Sequence, residues 1–246
     1  MNFIYLSPHL DDAIFSCGGI MWEQVHRGDR VEIWTLFSGD SPSENLTTYA
    51  GTLHTRWGVN KNPYAARRTE DIAACKLLLV SYRHLNYHDC IYRRLPETGE
   101  PLIKEDPDLF FEIHPGEEYL VKKIKHDLAS RLAKDATIIS PLGVGGHMDH
   151  RITRAVAEKL EIQIWYYPDF PYSALPENPI EALLPLYVTP VAMNVSLAGK
   201  EAWWDAIACY RSQLSSFWQS VEEMKEKVQA YADSPLACTL WHKTQP

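Results

Sequence analysis

Two stretches of this chain hold residue types whose spacing suits metal-assisted chemistry. The first, Ser7-Pro8-His9-Leu10-Asp11-Asp12, closes a short apolar run; the second is Gly146-His147-Met148-Asp149-His150. A histidine followed two residues later by a pair of carboxylates offers nitrogen and oxygen ligands for a divalent ion and leaves one spare acid/base group. Either motif alone has a plainer reading, in which the aspartate caps the next helix and the histidine is polar surface. Two such motifs, each following a strand, can converge on one ion.

The flanking patterns say how they are held. Phe3 to Leu6 read as a buried strand stopped by Pro8, and Ile14, Cys17, Met21, Trp22 and Val25 recur at helical spacing. Around the second motif, Ala136–Ser140 read as a buried strand, the glycine-rich run as a turn, and Ile152, Val156 and Leu160 as one helix face. Further strands are expected over Val31–Phe37, Tyr82–Tyr87, Glu161–Tyr166 and, antiparallel at an edge, Val188–Val195. Helices are expected from Pro63 to Leu79, around Val121–Leu132, over Lys200–Leu214 and over Phe217–Ala232. Residues 43–62 lack periodicity and read as a mobile loop over the site, while residues 88–116 read as an excursion rather than a linker. The alternation predicts an α/β fold, a mostly parallel sheet with helices on both faces, whose ligands bind at the carboxyl ends of the strands.

The Pro-His-x-Asp-Asp and His-x-Asp-His motifs, in this order and in strand-to-helix settings, resemble the signatures of the PIG-L-type (LmbE-like) zinc-dependent de-N-acetylases. Weaker similarities are Arg67-x-x-Glu70-x-x-x-Ala74, Asp89 and Tyr210-Arg-Ser-Gln213. The resemblance implies a Rossmann-like fold and hydrolysis of the N-acetyl group of an N-acetylglucosamine-containing small molecule or glycan. It assigns Zn²⁺ to His9, Asp12 and His150, with a position left for water, and proton transfer to Asp11. It also makes His147, kept cationic by Asp149, the oxyanion stabiliser. Arg67 and Asp89 would contact the substrate, although an Arg67–Glu70 helical pair and a turn-capping Asp89 are the plainer readings. Some members carry a tyrosine two residues before the equivalent of His147; here that residue is Gly145.

The chain has 246 residues, 46% of them hydrophobic, enough for one sizeable core, so a single domain over 1–246 is expected. A net charge of −8 gives no electrostatic footprint for nucleic acid, and no run approaches the ~20 apolar residues of a membrane span. Five cysteines without a Cys-x-x-Cys pair read as reduced thiols and a cytoplasmic location. A homo-oligomer stays open. So do three rival functions: an amidase acting on another N-acylated substrate, a catalytically silent carbohydrate-binding protein, and a two-histidine, one-carboxylate iron site. The last belongs to all-β folds, unlike this alternating chain.

Overall fold

The computed structural model describes residues 1–59 and 62–244. Its strands are β1 (Asn2–Ser7), β2 (Arg30–Thr35), β3 (Ser81–His84), β4 (Ala136–Pro141), β5 (Ile164–Tyr167), β6 (Val188–Ala192) and β7 (Thr239–Lys243). They form one sheet in the order β3-β2-β1-β4-β5-β7-β6. The first five are parallel; β7 runs antiparallel to both β5 and β6. The chain builds outward from β1 through β2 to β3, then returns to β4 on the other side of β1. That reversal opens a crevice beyond the carboxyl ends of β1 and β4, where parallel α/β sheets take their ligands. Both motifs leave the sheet there.

The helices are α1 (Asp12–His26), α2 (Thr48–Arg56), α3 (Pro63–Leu77), α4 (Glu118–Arg131), α5 (Met148–Glu158), α6 (Leu197–Ile207), α7 (Arg211–Phe217) and α8 (Val221–Ala232). Strand side chains alternate between two cores. Ile4, Leu6, Trp34 and Ile138 pack with α4 and α5 on one face. Phe3, Tyr5, Ile33 and Ile139 pack with α1, α3, α6 and α8 on the other. Burial on both faces explains why these strands read as continuous apolar runs. No helix among the described residues is long and apolar enough to cross a membrane, and all five cysteines are unpaired.

Helix α1, which carries the first motif, is pinned from outside. The Trp203 indole of α6 donates to the Ile14 carbonyl at 2.6 Å. A Cβ at Gly18 would lie 2.3 Å from the same ring, so only glycine lets the two helices approach this closely.

Several expectations are corrected. The segment read as a mobile loop holds α2, whose first turn is capped by the Thr47 side chain; its apolar face is too short to register as a period. Residues 60 and 61 of that segment lie outside the described residues. The third and fifth strands are shorter than expected, and the Lys200–Leu214 segment is two helices broken at Ala208–Tyr210. The tail is not all helical: β7 inserts between β5 and β6, because Leu240 and Trp241 bury where those strands would otherwise leave a gap.

Candidate metal and catalytic site

Beyond Ser7 the chain turns sharply into α1. The Ser7 hydroxyl donates to the His9 carbonyl at 2.6 Å and accepts from the Ala13 amide at 3.1 Å. Asp12 takes the His9 amide at 2.7 Å. Asp11 sits at φ 143°, a conformation costly for any residue with a Cβ, typically about 1–3 kcal/mol. The strain aims its carboxylate inward, 3.4 Å from Arg67 of α3, rather than at the helix it precedes.

The two motifs meet on Asp12. Its Oδ2 lies 3.2 Å from His9 Nδ1 and 3.3 Å from His150 Nε2. Each ring is held from behind by another carboxylate. Asp149 Oδ2 is 3.0 Å from His9 Nε2, and Asp169 Oδ1 is 2.7 Å from His150 Nδ1. A ring N–H donated to each rear carboxylate leaves the forward nitrogen as a lone pair, the state a metal-binding imidazole needs. The donor set therefore fits a divalent cation. Burial disfavours charge on His150, yet Asp12 and Asp169 outweigh it and push its pKa up to about 10; the carboxylates thus draw a cation to this place, and a metal must displace the ring proton to bind. The histidines His9, His147 and His150 also each offer a ring nitrogen within 4.8 Å of the others. His147 Nδ1, however, already accepts the Asp149 backbone amide at 3.2 Å.

That contact corrects the expectation for His147. The Asp149 carboxylate does not reach this ring; it is fully buried between His9 and Arg93, whose Nη2 lies 2.6 Å from Oδ1. Burial and the neighbouring His9 and His150 hold the His147 pKa down to about 3. His147 is thus neutral, with its proton on Nε2.

Arg67 also departs from its plainer reading. Its guanidinium turns to Asp11, the Leu10 carbonyl and the Tyr64 hydroxyl, while Glu70 binds Ser212 of α7. Asp89 caps a short turn, accepting from the Ile91 amide at 3.1 Å, and also lines the pocket, where it accepts from the Tyr64 hydroxyl. Burial, reinforced by Asp12, raises the Asp11 pKa to about 8 against the pull of Arg67.

These groups line a cavity of about 400 Å³, walled at its mouth by Tyr49 and Trp57 from the α2 region and by Phe110, Tyr172 and Phe217. Three residues escaped the sequence reading: Asp169, Arg93 and Glu117. Asp169 lies in the loop after β5, outside both motifs. Arg93, inside the excursion, and Glu117, just after it, form a buried pair at 2.7 Å. The Tyr172 ring fills the space a side chain at position 145 would need, 2.6 Å from a Cβ built on Gly145.

A family model described as PIG-L, GlcNAc-PI de-N-acetylase, matches residues 4–161. The chain belongs to this family. It is similar to 2'-N-acetylparomamine deacetylase of Niallia circulans, 30% identical over 69% of this chain and 67% of that protein. The Streptomyces fradiae protein of the same name is 26% identical, over 69% of this chain and 57% of its own length. The zinc-inhibited form of teicoplanin deacetylase Orf2 superposes with a TM-score of 0.83 at 25% identity, covering 98% of this chain and 97% of that one. The A40926 pseudoaglycone deacetylase Dbv21 follows at 0.75 and 26%, covering 100% and 99%. The PIG-L match and the parallel sheet leave the iron-oxygenase reading without support.

Proposed function

We propose that this PIG-L protein is a zinc-dependent hydrolase that removes the acetyl group from an N-acetylglucosamine-type sugar within a larger molecule. The observation that carries the reading is the pair of carboxylate-backed imidazoles, His9 and His150, opening onto Asp12. The similarity to 2'-N-acetylparomamine deacetylase and to the A40926 pseudoaglycone deacetylase supports it.

His9 Nδ1, Asp12 Oδ2 and His150 Nε2 hold the metal in this reading, rather than His147, whose Nδ1 is engaged by backbone. A bound divalent ion lowers the pKa of a water in its open position and polarises the amide carbonyl. Asp11 is the proton carrier. In its charged form it can take the water's proton and then return it to the departing amine. Arg67 steadies the carboxylate in its charged form. His147 donates its Nε2–H to the oxyanion as a neutral ring, a term commonly worth about 3 kcal/mol for one donor. Asp149 acts through His9, fixing its tautomer, and Arg93, itself paired with Glu117, holds Asp149. Asp89 and Arg67 face the sugar across the pocket. Residues 1–246 work as one catalytic unit in this reading, because Gln213, Ser216 and Phe217, beyond the matched region, line the same cavity.

The test offers the zinc-loaded protein a panel of N-acetylated amino sugars and measures released acetate and free amine. Turnover abolished by a chelator and restored by zinc is expected. Absence of acetate from every sugar, or turnover indifferent to chelation, would remove the proposal.

A further inference from the structure

Helix α3 faces two ways. Arg67 turns toward Asp11, whereas Glu70, nearly one turn further on, reaches the start of α7 and takes no part in the hydrolytic chemistry. Glu70 Oε1 accepts from the Ser212 amide at 2.9 Å, and Oε2 accepts from the Ser212 hydroxyl at 2.6 Å. That hydroxyl oxygen in turn accepts from Gln213 Nε2 at 2.9 Å. Beside these bonds the Tyr210 hydroxyl donates to Asp71 at 2.7 Å, so two adjacent carboxylates of α3 seat the first turn of α7. Ser212 and Gln213 are both buried, and Gln213 lines the catalytic cavity.

The chain of bonds has a direction. A carboxylate only accepts, so the Ser212 O–H must go to Glu70; having given its single hydrogen, the hydroxyl can only accept from Gln213. The Gln213 amide is thereby held with its nitrogen toward Ser212. Its carbonyl oxygen Oε1 takes no partner among the described residues and is left for the cavity.

We infer that Glu70 is a positioning residue for substrate recognition: acting through Ser212, it fixes Gln213 with its carbonyl oxygen as the acceptor for a hydrogen-bond donor of the sugar, a hydroxyl or the acetamide N–H. The inference rests on the deacetylase reading for the identity of the ligand. A free glutamine presents oxygen or nitrogen with similar ease. The relay removes that choice, and a buried group built to accept discriminates against a ligand that cannot donate.

Glu70→Gln removes the direction while keeping the contact. The Ser212 N–H, which can only donate, claims the new carbonyl oxygen and turns the new amide nitrogen toward the Ser212 hydroxyl. The hydroxyl then accepts from position 70 and is free to donate to Gln213. Either end of the Gln213 amide can now face the cavity.

Binding is measured by calorimetry on zinc-loaded protein carrying Asp11→Asn, so that hydrolysis does not intrude, and kcat and KM are measured with Asp11 intact. The ligands are the methyl glycoside of N-acetylglucosamine and analogues that each lack one hydroxyl. Glu70→Gln, Ser212→Ala and Gln213→Ala should each weaken binding about three- to tenfold, the worth of one neutral hydrogen bond. KM should rise to match, with metal content and kcat little changed. Joined to Gln213→Ala, Glu70→Gln should add nothing, because no amide is left to orient. A Glu70 that merely anchors α7 would disturb Ser216 and Phe217 as well, and its loss would multiply with that of Gln213→Ala. Such multiplication, or wild-type affinity in folded Glu70→Gln, overturns the inference; should that variant fold poorly, Ser212→Ala decides on the same terms. An analogue on which Glu70→Gln makes no difference identifies the hydroxyl that Gln213 binds, and a difference on every analogue assigns the acetamide N–H. Absence of affinity for every sugar also overturns the inference. Affinity and coupling without any acetate release would sink the deacetylase reading and leave the relay assigned.

Discussion

Asp169→Asn isolates the role of the carboxylate behind His150. Asp169 Oδ2 accepts the Gly143 and Val144 amides at 2.8 and 2.9 Å, while Oδ1 faces His150 Nδ1 at 2.7 Å. An asparagine at this place can keep both backbone bonds only by turning its carbonyl oxygen toward them. Its amide then points N–H at His150 Nδ1, which must become the acceptor, and the ring proton moves to Nε2. That nitrogen is the one facing Asp12, and with a proton on it cannot bind a metal. Metal affinity should fall by about 10–100-fold, the usual result of losing a ligand's backing group. In the metal-free protein Asp169→Asn loses the charge that faces His150 but keeps the two backbone bonds, so it should be less destabilised than a variant that loses both. Asp169→Ala strips two buried N–H groups instead and should cost about 2–6 kcal/mol, at about 1–3 for each. Competition titration against a chromophoric chelator and urea unfolding of the metal-free variants read the two quantities separately. The tautomer argument fails if Asp169→Asn holds metal as tightly as the wild type, and the backbone argument fails if Asp169→Ala is no less stable than Asp169→Asn.

The neighbouring carboxylates should separate cleanly: Asp12→Ala should lose metal, whereas Asp11→Asn should keep it and lose about 10²–10⁴ in kcat, and equal metal depletion in both folded variants would show the division of roles to be wrong. Asp11→Gly should be about 1–3 kcal/mol more stable than Asp11→Ala in the metal-free protein, since both lose the Arg67 contact and only glycine relieves the positive φ; equal denaturation midpoints would contradict the strain. His147→Ala should retain metal and lower kcat by about 10²–10³. Because the folded His147 pKa is held down to about 3 and the ordinary value is 6.5, the unfolded chain binds a proton between those pH values that the folded chain does not, so this residue's contribution to stability is lost on acidification, by up to about 1.4 kcal/mol per pH unit. Removing the ring should flatten that part of the urea-midpoint profile between pH 4 and 6.5 in metal-free protein, and an unchanged slope would speak for a charged His147. Gly18→Ala should cost about 1–3 kcal/mol in unfolding free energy by driving a methyl group into Trp203, and a thermal melt matching wild type would mean that α6 yields freely.

The sequence by itself determined the strand, turn and helix around each motif, and hence that His9, Asp11, Asp12, His147, Asp149 and His150 stand at strand ends. These are local facts: a doubly buried strand is a short apolar run and a helix face repeats every three or four residues, so both are legible within a dozen residues. It also fixed the α/β class, since alternation of the two periods leaves few other packings. What only the tertiary structure decided is which groups face one another. Asp149 reaching His9, 140 residues away, rather than His147 beside it, follows from the way β1 and β4 lie side by side. Asp169 backing His150, Arg93 clamping Asp149 and Tyr172 filling the space over Gly145 are likewise meetings of distant segments with no local pattern. The β7 strand was illegible for a related reason: a five-residue strand gains its stability from the two neighbours it pairs with, not from its own period.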